Sequence, residues 1–174
     1  PIAVGLTLRR LAGKVVTGKL QDKCSELLHP HQLGVALPRG AEIGTHSLRQ
    51  NVHHNHTSDK LVAKIDFKNA FNTIRRDVVL TKLKEHVPAL FKMTKQSYST
   101  PSYLYFGDDD ILESREGVQQ GDPLGPFLFS LGIMDLMKSC ESELSLWYLD
   151  DGTVGEEPSA VLRDLTKILA ASDS

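Results

Sequence analysis

Apolar residues recur at helical spacing from Leu8 through Leu11, Val15, Leu20, Cys24, Leu27 and Leu28, which predicts one amphipathic helix over residues 7–28. Gly13 and Gly18 interrupt the pattern without breaking it. The Pro- and Gly-rich stretch "LHPHQLGVALPRGAEIGTH" reads as loop, followed by a short helix over 41–54. "KLVAKIDF" alternates and stops on Asp66, a strand signal. Beyond it, Phe71, Ile74, Val78, Val79 or Leu80, and Leu83 share one face of a helix over 68–87. Pro88 opens a further helix running to Tyr98. "SYLYFG" and "ILESREG", joined by Asp108, Asp109 and Asp110, read as a hairpin with a solvated acidic turn. The loop "VQQGDP" leads into the most apolar segment, 124–140, expected as a buried helix. "ELSLWYLDDGTVGE" reads as strand, turn, strand, with Asp150, Asp151 and Gly152 at the turn, and Pro158 starts a last helix. That order predicts an α+β fold with an antiparallel sheet backed by helices.

Composition narrows the class. The apolar fraction of 40% and charged fraction of 24% suit a globular chain of 174 residues. The apolar run 124–137 is interrupted by Gly125, Pro126, Ser130 and Asp135, too short and polar for a membrane span. No secretory signal precedes it. Cys24 and Cys140 are far apart and suit reduced thiols inside a cell. Beginning on Pro1 and stopping at Ser174, the chain reads as a piece of a longer polypeptide. Its net charge of −2 is unevenly spread. Residues 1–60 carry 8 Lys/Arg against 4 Asp/Glu, whereas residues 61–174 carry 12 against 18. A mildly basic segment joined to an acidic one fits a phosphate-facing surface beside a cation centre, though counts this small decide nothing alone.

Three features carry candidate chemistry. Asp66 ends a strand, Gln120-Gly121-Asp122-Pro123 forms a loop, and Asp150-Asp151 follows the apolar run Leu146, Trp147, Tyr148 and Leu149. If the 61–66 and 145–149 strands are neighbours, their ends gather three carboxylates. Such a cluster repels itself unless a hard divalent cation, Mg²⁺ or Mn²⁺, relieves it. Two ions ~3.5–4 Å apart suit in-line phosphoryl transfer.

The segment "AKIDFKNAFNTIRRD" resembles the first palm motif of reverse transcriptases, those of non-LTR retrotransposons especially. "REGVQQGDPLGPFLFSL" resembles the second and "LWYLDDGTV" the third, in the family's order. "PIAVGLTLRRLAGK" and "QLGVALPRGAEIGTHSLRQ" are similar to its finger segments, so the likeness spans nearly the whole chain. It implies a partial helical fingers region over 1–60 and a polymerase palm over 61–174. It implies RNA-directed DNA polymerase activity using two Mg²⁺ or Mn²⁺ ions, an RNA template, a DNA primer and deoxynucleoside triphosphates. Asp66, Asp150 and Asp151 take the positions of its catalytic, metal-holding aspartates. Phe67 takes the position whose carbonyl completes a metal shell, and Phe71 the steric gate that rejects a 2′-hydroxyl. Gln120 and Gly121 fall on the nucleotide-contacting loop, and Tyr148 beside the primer end.

The family's Arg before Pro-Ile, its upstream basic finger residues, its fourth palm motif and its thumb are not in this stretch. The isolated stretch is therefore expected to be inactive, and to depend on a thumb and on endonuclease or RNase H domains of a parent polyprotein. The competing expectation is a degenerate or domesticated chain that only binds nucleic acid or protein. Family habit places it in the nucleus or cytoplasm. Phe71 also fits a plain core role, the "HHNH" run of His53–His56 reads as exposed loop, Arg9 and Arg10 equally as a contact to template backbone or a solvated helix face, and Arg76 with Asp77 as surface.

Overall fold

The computed structural model describes residues 5–56, 58–106 and 110–172. Along the chain run α1 (Thr7–Lys19), α2 (Gln21–Leu28), α3 (Gly40–His54), β1 (Leu61–Asp66), α4 (Ala70–Thr73), α5 (Arg76–His86) and α6 (Pro88–Tyr98). Then follow β2 (Ser102–Phe106), β3 (Asp110–Ser114), α7 (Gly125–Gly132), α8 (Met134–Ser139), β4 (Leu144–Tyr148), β5 (Asp151–Glu156) and α9 (Pro158–Ser172). The α+β expectation holds, and both sheets are antiparallel. Two compact units share the chain, one from Pro1–Leu20 with Lys68–Gly132, the other from Gln21–Phe67 with Ile133–Ser174.

The second unit is built on a three-stranded sheet of order β1-β5-β4. The expected adjacency of residues 61–66 and 145–149 is corrected here. The hairpin's second strand, not its first, pairs with β1, so β5 lies between them. Side chains alternate between faces along each strand. One row therefore joins Ile65, Gly152 and Trp147, all buried, and the next joins Asp66, Asp151 and Tyr148, all exposed. α9 packs on β5 and β1, and α3 on β4. Inside this unit the buried Asp164 carboxylate accepts hydrogen bonds from the backbone N–H of Glu141 and Ser142, both at 2.9 Å, and from the Ser142 hydroxyl.

The first unit packs α5, α6 and α7 beside the β2–β3 ribbon, with Val79, Leu83, Leu90, Phe127, Leu128, Phe129 and Leu131 buried. The helix expected over 7–28 is two, meeting at Leu20, where the chain passes from one unit to the other. Leu8, Leu11 and Val15, expected on a packed face, are 80%, 58% and 54% exposed. The helix expected over 68–87 breaks into α4 and α5 at Ile74, whose backbone is extended with ψ 135°. There the carbonyls of Phe71 and Ile74 accept from the N–H groups of Val118 and Gly117, at 2.7 and 3.0 Å. Long-range pairing replaces helical bonds. The buried helix expected over 124–140 is likewise divided, into α7 and α8. The α6 start at Pro88 and the paired strands of both hairpins fall where the sequence puts them, while the turn of the second is displaced by one residue. Asp108 and Asp109 lie outside the described residues, and Asp110 is exposed at the start of β3.

Among the described residues no helix is long and apolar enough to cross a membrane. Cys24 and Cys140 are free and buried, and burial pushes each thiol up to about 11.

Burial alone would raise the Asp164 carboxyl, but the Ser142 and Glu141 hydrogen bonds and the Lys167 charge outweigh it and hold the group below its ordinary value. A depressed carboxyl stabilises the fold fully above its unfolded value and loses that contribution as pH falls through the folded one. Asp164→Asn should cost about 1–3 kcal/mol at neutral pH. It should also flatten the acid limb of a stability–pH curve, as thermal melts between neutral and strongly acidic pH would show.

Candidate active site

Tyr148 pairs with Asp151, leaving Leu149 and Asp150 as a two-residue turn between β4 and β5. The turn therefore sits one step earlier than the sequence reading placed it, and Asp151 and Gly152 belong to β5. Packing decides this. A Cβ on Gly152 would come within 2.7 Å of the Trp147 ring, so only glycine lets the indole lie against the strand opposite it. Leu149 takes a left-handed backbone, φ 56°, unusual for a bulky side chain.

Register places Asp66 directly opposite Asp151. Opposed residues of antiparallel strands stand about 4.5–5.5 Å apart at Cβ, so these carboxylates repel across the ladder. The ammonium of Lys64, 3.6 Å from Asp151 Oδ1, compensates them in part. Asp66 and Asp151 are exposed and Asp150 is half-buried in the turn. Among the described residues no three His, Cys, Asp or Glu side chains close into a finished metal cage. Phe67 stacks on Trp147 with centroids 6.0 Å apart and planes at 15°, which anchors the chain just after Asp66. Tyr148, Asp151 and Thr153 line one wall of a cleft whose other wall is Gly44, Thr45 and Leu48 of α3.

Sequence reasoning missed Gln32. It is fully buried, and its carboxamide bonds both backbone groups of Leu149. An uncharged polar residue between a Pro-His step and Leu33 carries no local signal of burial.

The other predicted residues lie in the first unit. Gln120 is half-buried and Gly121 exposed, with φ 106° at Gly121. Their loop is wired by Asp122, a neighbour that the sequence reading assigned no role. Asp122 Oδ2 accepts from the Arg9 guanidinium at 2.9 Å and from the Tyr98 hydroxyl at 2.7 Å, while Oδ1 accepts from the Leu124 N–H at 3.0 Å. The Tyr98 oxygen accepts in turn from the Gln119 N–H at 3.3 Å. Arg9 and Arg76 each lie 5.3 Å from the Tyr98 ring centroid. Burial, then the Asp122 charge and hydrogen bond, drive the Tyr98 phenol far above its ordinary value, so it is a permanent donor. Arg9 is thus bound within its unit rather than free on a solvated face. Arg76 is buried too, donating to the carbonyls of Gly117 and Glu116 and to Ser114 Oγ, and it is Arg75 that pairs with Asp77 on the surface. Phe71 stacks on Phe129 at 4.4 Å, a packing role, while remaining half-buried. His53 and His54 close α3 and His56 follows it, with the rings of His53 and His56 stacked at 5.9 Å.

Asp150 thus stands in the turn and Asp151 on β5 opposite Asp66. The family model described as reverse transcriptase (RNA-dependent DNA polymerase) matches residues 1–172. The chain belongs to that family, as the three motifs implied. It is 26% identical over 182 aligned positions to the retrovirus-related Pol polyprotein from type-1 retrotransposable element R2 of Popillia japonica, covering 100% of this chain and 25% of that protein. It is 29% identical over 121 positions to the retrotransposable element SLACS 132 kDa protein of Trypanosoma brucei gambiense, covering 64% of this chain and 10% of that one. The chain thus spans about a quarter or less of the curated relatives it matches. Both relatives are non-LTR retrotransposon proteins, the type the sequence resembled. In fold it is similar to telomerase from Candida albicans, with TM-score 0.65 and 12% identity over 94% of this chain and 32% of that one. Telomerase from Candida tropicalis gives TM-score 0.60 and 16% identity over 91% and 36%.

Gly152→Ala should force the Trp147 indole off the sheet. Overpacking of this kind costs about 1–3 kcal/mol. Because Trp147 is the chain's one tryptophan, a red-shifted emission with a lowered melting temperature reports the displacement directly.

Proposed function

We propose that this chain supplies the nucleotidyl-transfer centre of an RNA-directed DNA polymerase, which adds deoxynucleotides to a DNA primer 3′-hydroxyl on an RNA template. The observation that carries the reading is the register pair Asp66–Asp151 with Asp150 on the adjoining turn, in a chain of the reverse transcriptase family. Facing carboxylates with one exposed lysine for compensation suit a hard divalent cation. Mg²⁺ in particular binds through one or two carboxylates and completes its shell with water and substrate phosphates, so a finished protein cage is not required. Asp66, Asp150, Asp151 and the Phe67 carbonyl would hold two Mg²⁺ or Mn²⁺ ions. Bound there, the ions would supply Lewis-acid stabilisation to the attacking and leaving oxygens of the transfer.

The protein's own contribution is positioning. The β1–β5 ladder fixes two of the carboxylates, and Tyr148, exposed in the same row, offers its ring to the primer end. Gln120 and Gly121, on a loop wired by Asp122, are assigned to the incoming nucleotide. Phe71 is assigned to the sugar, where a ring immobilised on Phe129 would exclude a 2′-hydroxyl. By motif order, residues 1–60 belong to fingers and 61–174 to palm. A thumb, with endonuclease or RNase H domains, would come from the rest of a longer polypeptide.

Primer extension on an RNA template with Mg²⁺, by this chain and by a polypeptide restoring the flanking segments, tests the reading. The restored polypeptide should extend the primer. Asp150→Asn should lower extension by on the order of 100-fold or more with unchanged far-UV circular dichroism. Steeply salt-dependent RNA binding without any synthesis would favour a nucleic-acid-binding chain instead. Phe71→Ala should raise ribonucleotide incorporation relative to deoxynucleotide by about tenfold or more, measured as a ratio of kcat/KM values.

A further inference from the structure

The turn that carries Asp150 is built around a residue in an unfavourable conformation. A left-handed backbone at a non-glycine residue is strained and persists where surroundings over-determine it. Those surroundings come from a segment 117 positions earlier in the chain. Gln32 Oε1 accepts from the Leu149 N–H at 2.7 Å, and Gln32 Nε2 donates to the Leu149 carbonyl at 3.2 Å. One side-chain amide thereby satisfies both backbone groups of one residue. The same Oε1 accepts from the Gly34 N–H at 2.9 Å, and Nε2 lies 3.6 Å from Met137 Sδ, so the amide has no freedom to turn.

The backbone on either side is equally committed. The Leu33 N–H donates to the Trp147 carbonyl at 2.7 Å, and the Trp147 N–H donates to the His31 carbonyl at 2.8 Å. Residues 31–33 thus add a short parallel rung along the free edge of β4. Gly34 completes the grip by close approach. A Cβ there would stand 2.9 Å from Leu149 Cγ and 3.0 Å from the Leu149 nitrogen.

We propose that Gln32 is a positioning residue for the acidic turn: its amide clamps Leu149 by both backbone groups and so fixes the direction in which Asp150 presents its carboxylate to a divalent cation. The proposal rests on the reading of Asp150 as a cation-holding residue given above. A glutamine serving only to satisfy a buried loop would stabilise the fold without regard to Asp150. A clamp acts through Asp150, and its effect disappears when that carboxylate does.

The test is a double-mutant cycle on cation binding by the 174-residue chain, read without polymerase activity. Tb³⁺ is the probe, with emission sensitised by Trp147, and Mn²⁺ serves as competitor. Native tryptophan emission and thermal melting establish that each variant is folded. Gln32→Met fills the space without the amide, and Gln32→Glu keeps the acceptor for the two N–H groups but loses the donor. Outer-shell partners of metal ligands typically change affinity about 10–100-fold, so Gln32→Met should raise the Tb³⁺ Kd by about tenfold or more. In an Asp150→Asn background the same substitution should change it little. If Gln32→Met does not fold, the same cycle with Gln32→Glu decides. An unchanged Kd in a folded Gln32 variant, or an equal effect with and without Asp150, would overturn the clamp while leaving the polymerase reading intact. A Kd indifferent to Asp150→Asn would overturn the role of Asp150, and the clamp with it.

Discussion

The Trp147 indole lies against Gly152 on one face of a three-stranded sheet, and the acidic end of that sheet follows from this contact. Alternation along a strand means that burying Trp147, Gly152 and Ile65 sends Tyr148, Asp151 and Asp66 to the opposite face. A slip by one residue would exchange the rows, burying carboxylates and exposing an indole. Burial of the large ring therefore sets the register, and the register sets the separation of the aspartates. Gly152 matters for the space it leaves rather than for any bend.

The first unit solves a related problem by another route. Its glycine-bearing loop at 120–121 has no strand to hold it, and an ionic hub does so instead. Asp122 receives Arg9, Tyr98 and a backbone N–H, while Tyr98 is flanked by two guanidinium groups. Burial lowers the Arg76 pKa, and the three oxygens around its guanidinium satisfy its charge. Such a hub is stiff while every donor has an acceptor, and costly once one is removed.

How much of this was legible depended on range. β1, the α6 start at Pro88 and the two hairpins rest on local signals, alternation and turn chemistry, and the sequence carried them. Family membership was legible as well, because three ordered motifs are themselves a sequence pattern. The helix breaks at Leu20 and Ile74 were not. At Ile74 the helical bonds are displaced by bonds to Gly117 and Val118, which no local window contains. Strand order escaped for the same reason, since either strand of the 144–156 hairpin could have met β1. Among the proposed site residues the structure brings Asp66 opposite Asp151 and gives Phe71 a packing partner in Phe129. Gln32, Arg9 and Arg76 were read as loop and surface because burial of a polar side chain is a tertiary fact.

The sheet also has a history in time. β1 is made before the other two strands of its sheet, which come after the whole intervening stretch Lys68–Gly132. Closing so long a loop carries an entropy cost that grows with the logarithm of its length, and non-local pairing of this kind slows folding. Until β5 emerges, β1 has an unpaired edge bearing the exposed Leu61 and Val62. The intervening residues that form most of the first unit can meanwhile gather their own core. The opposed aspartates would then meet only after the whole stretch between them has been made, and a chain interrupted before Asp151 would hold Asp66 with nothing across from it.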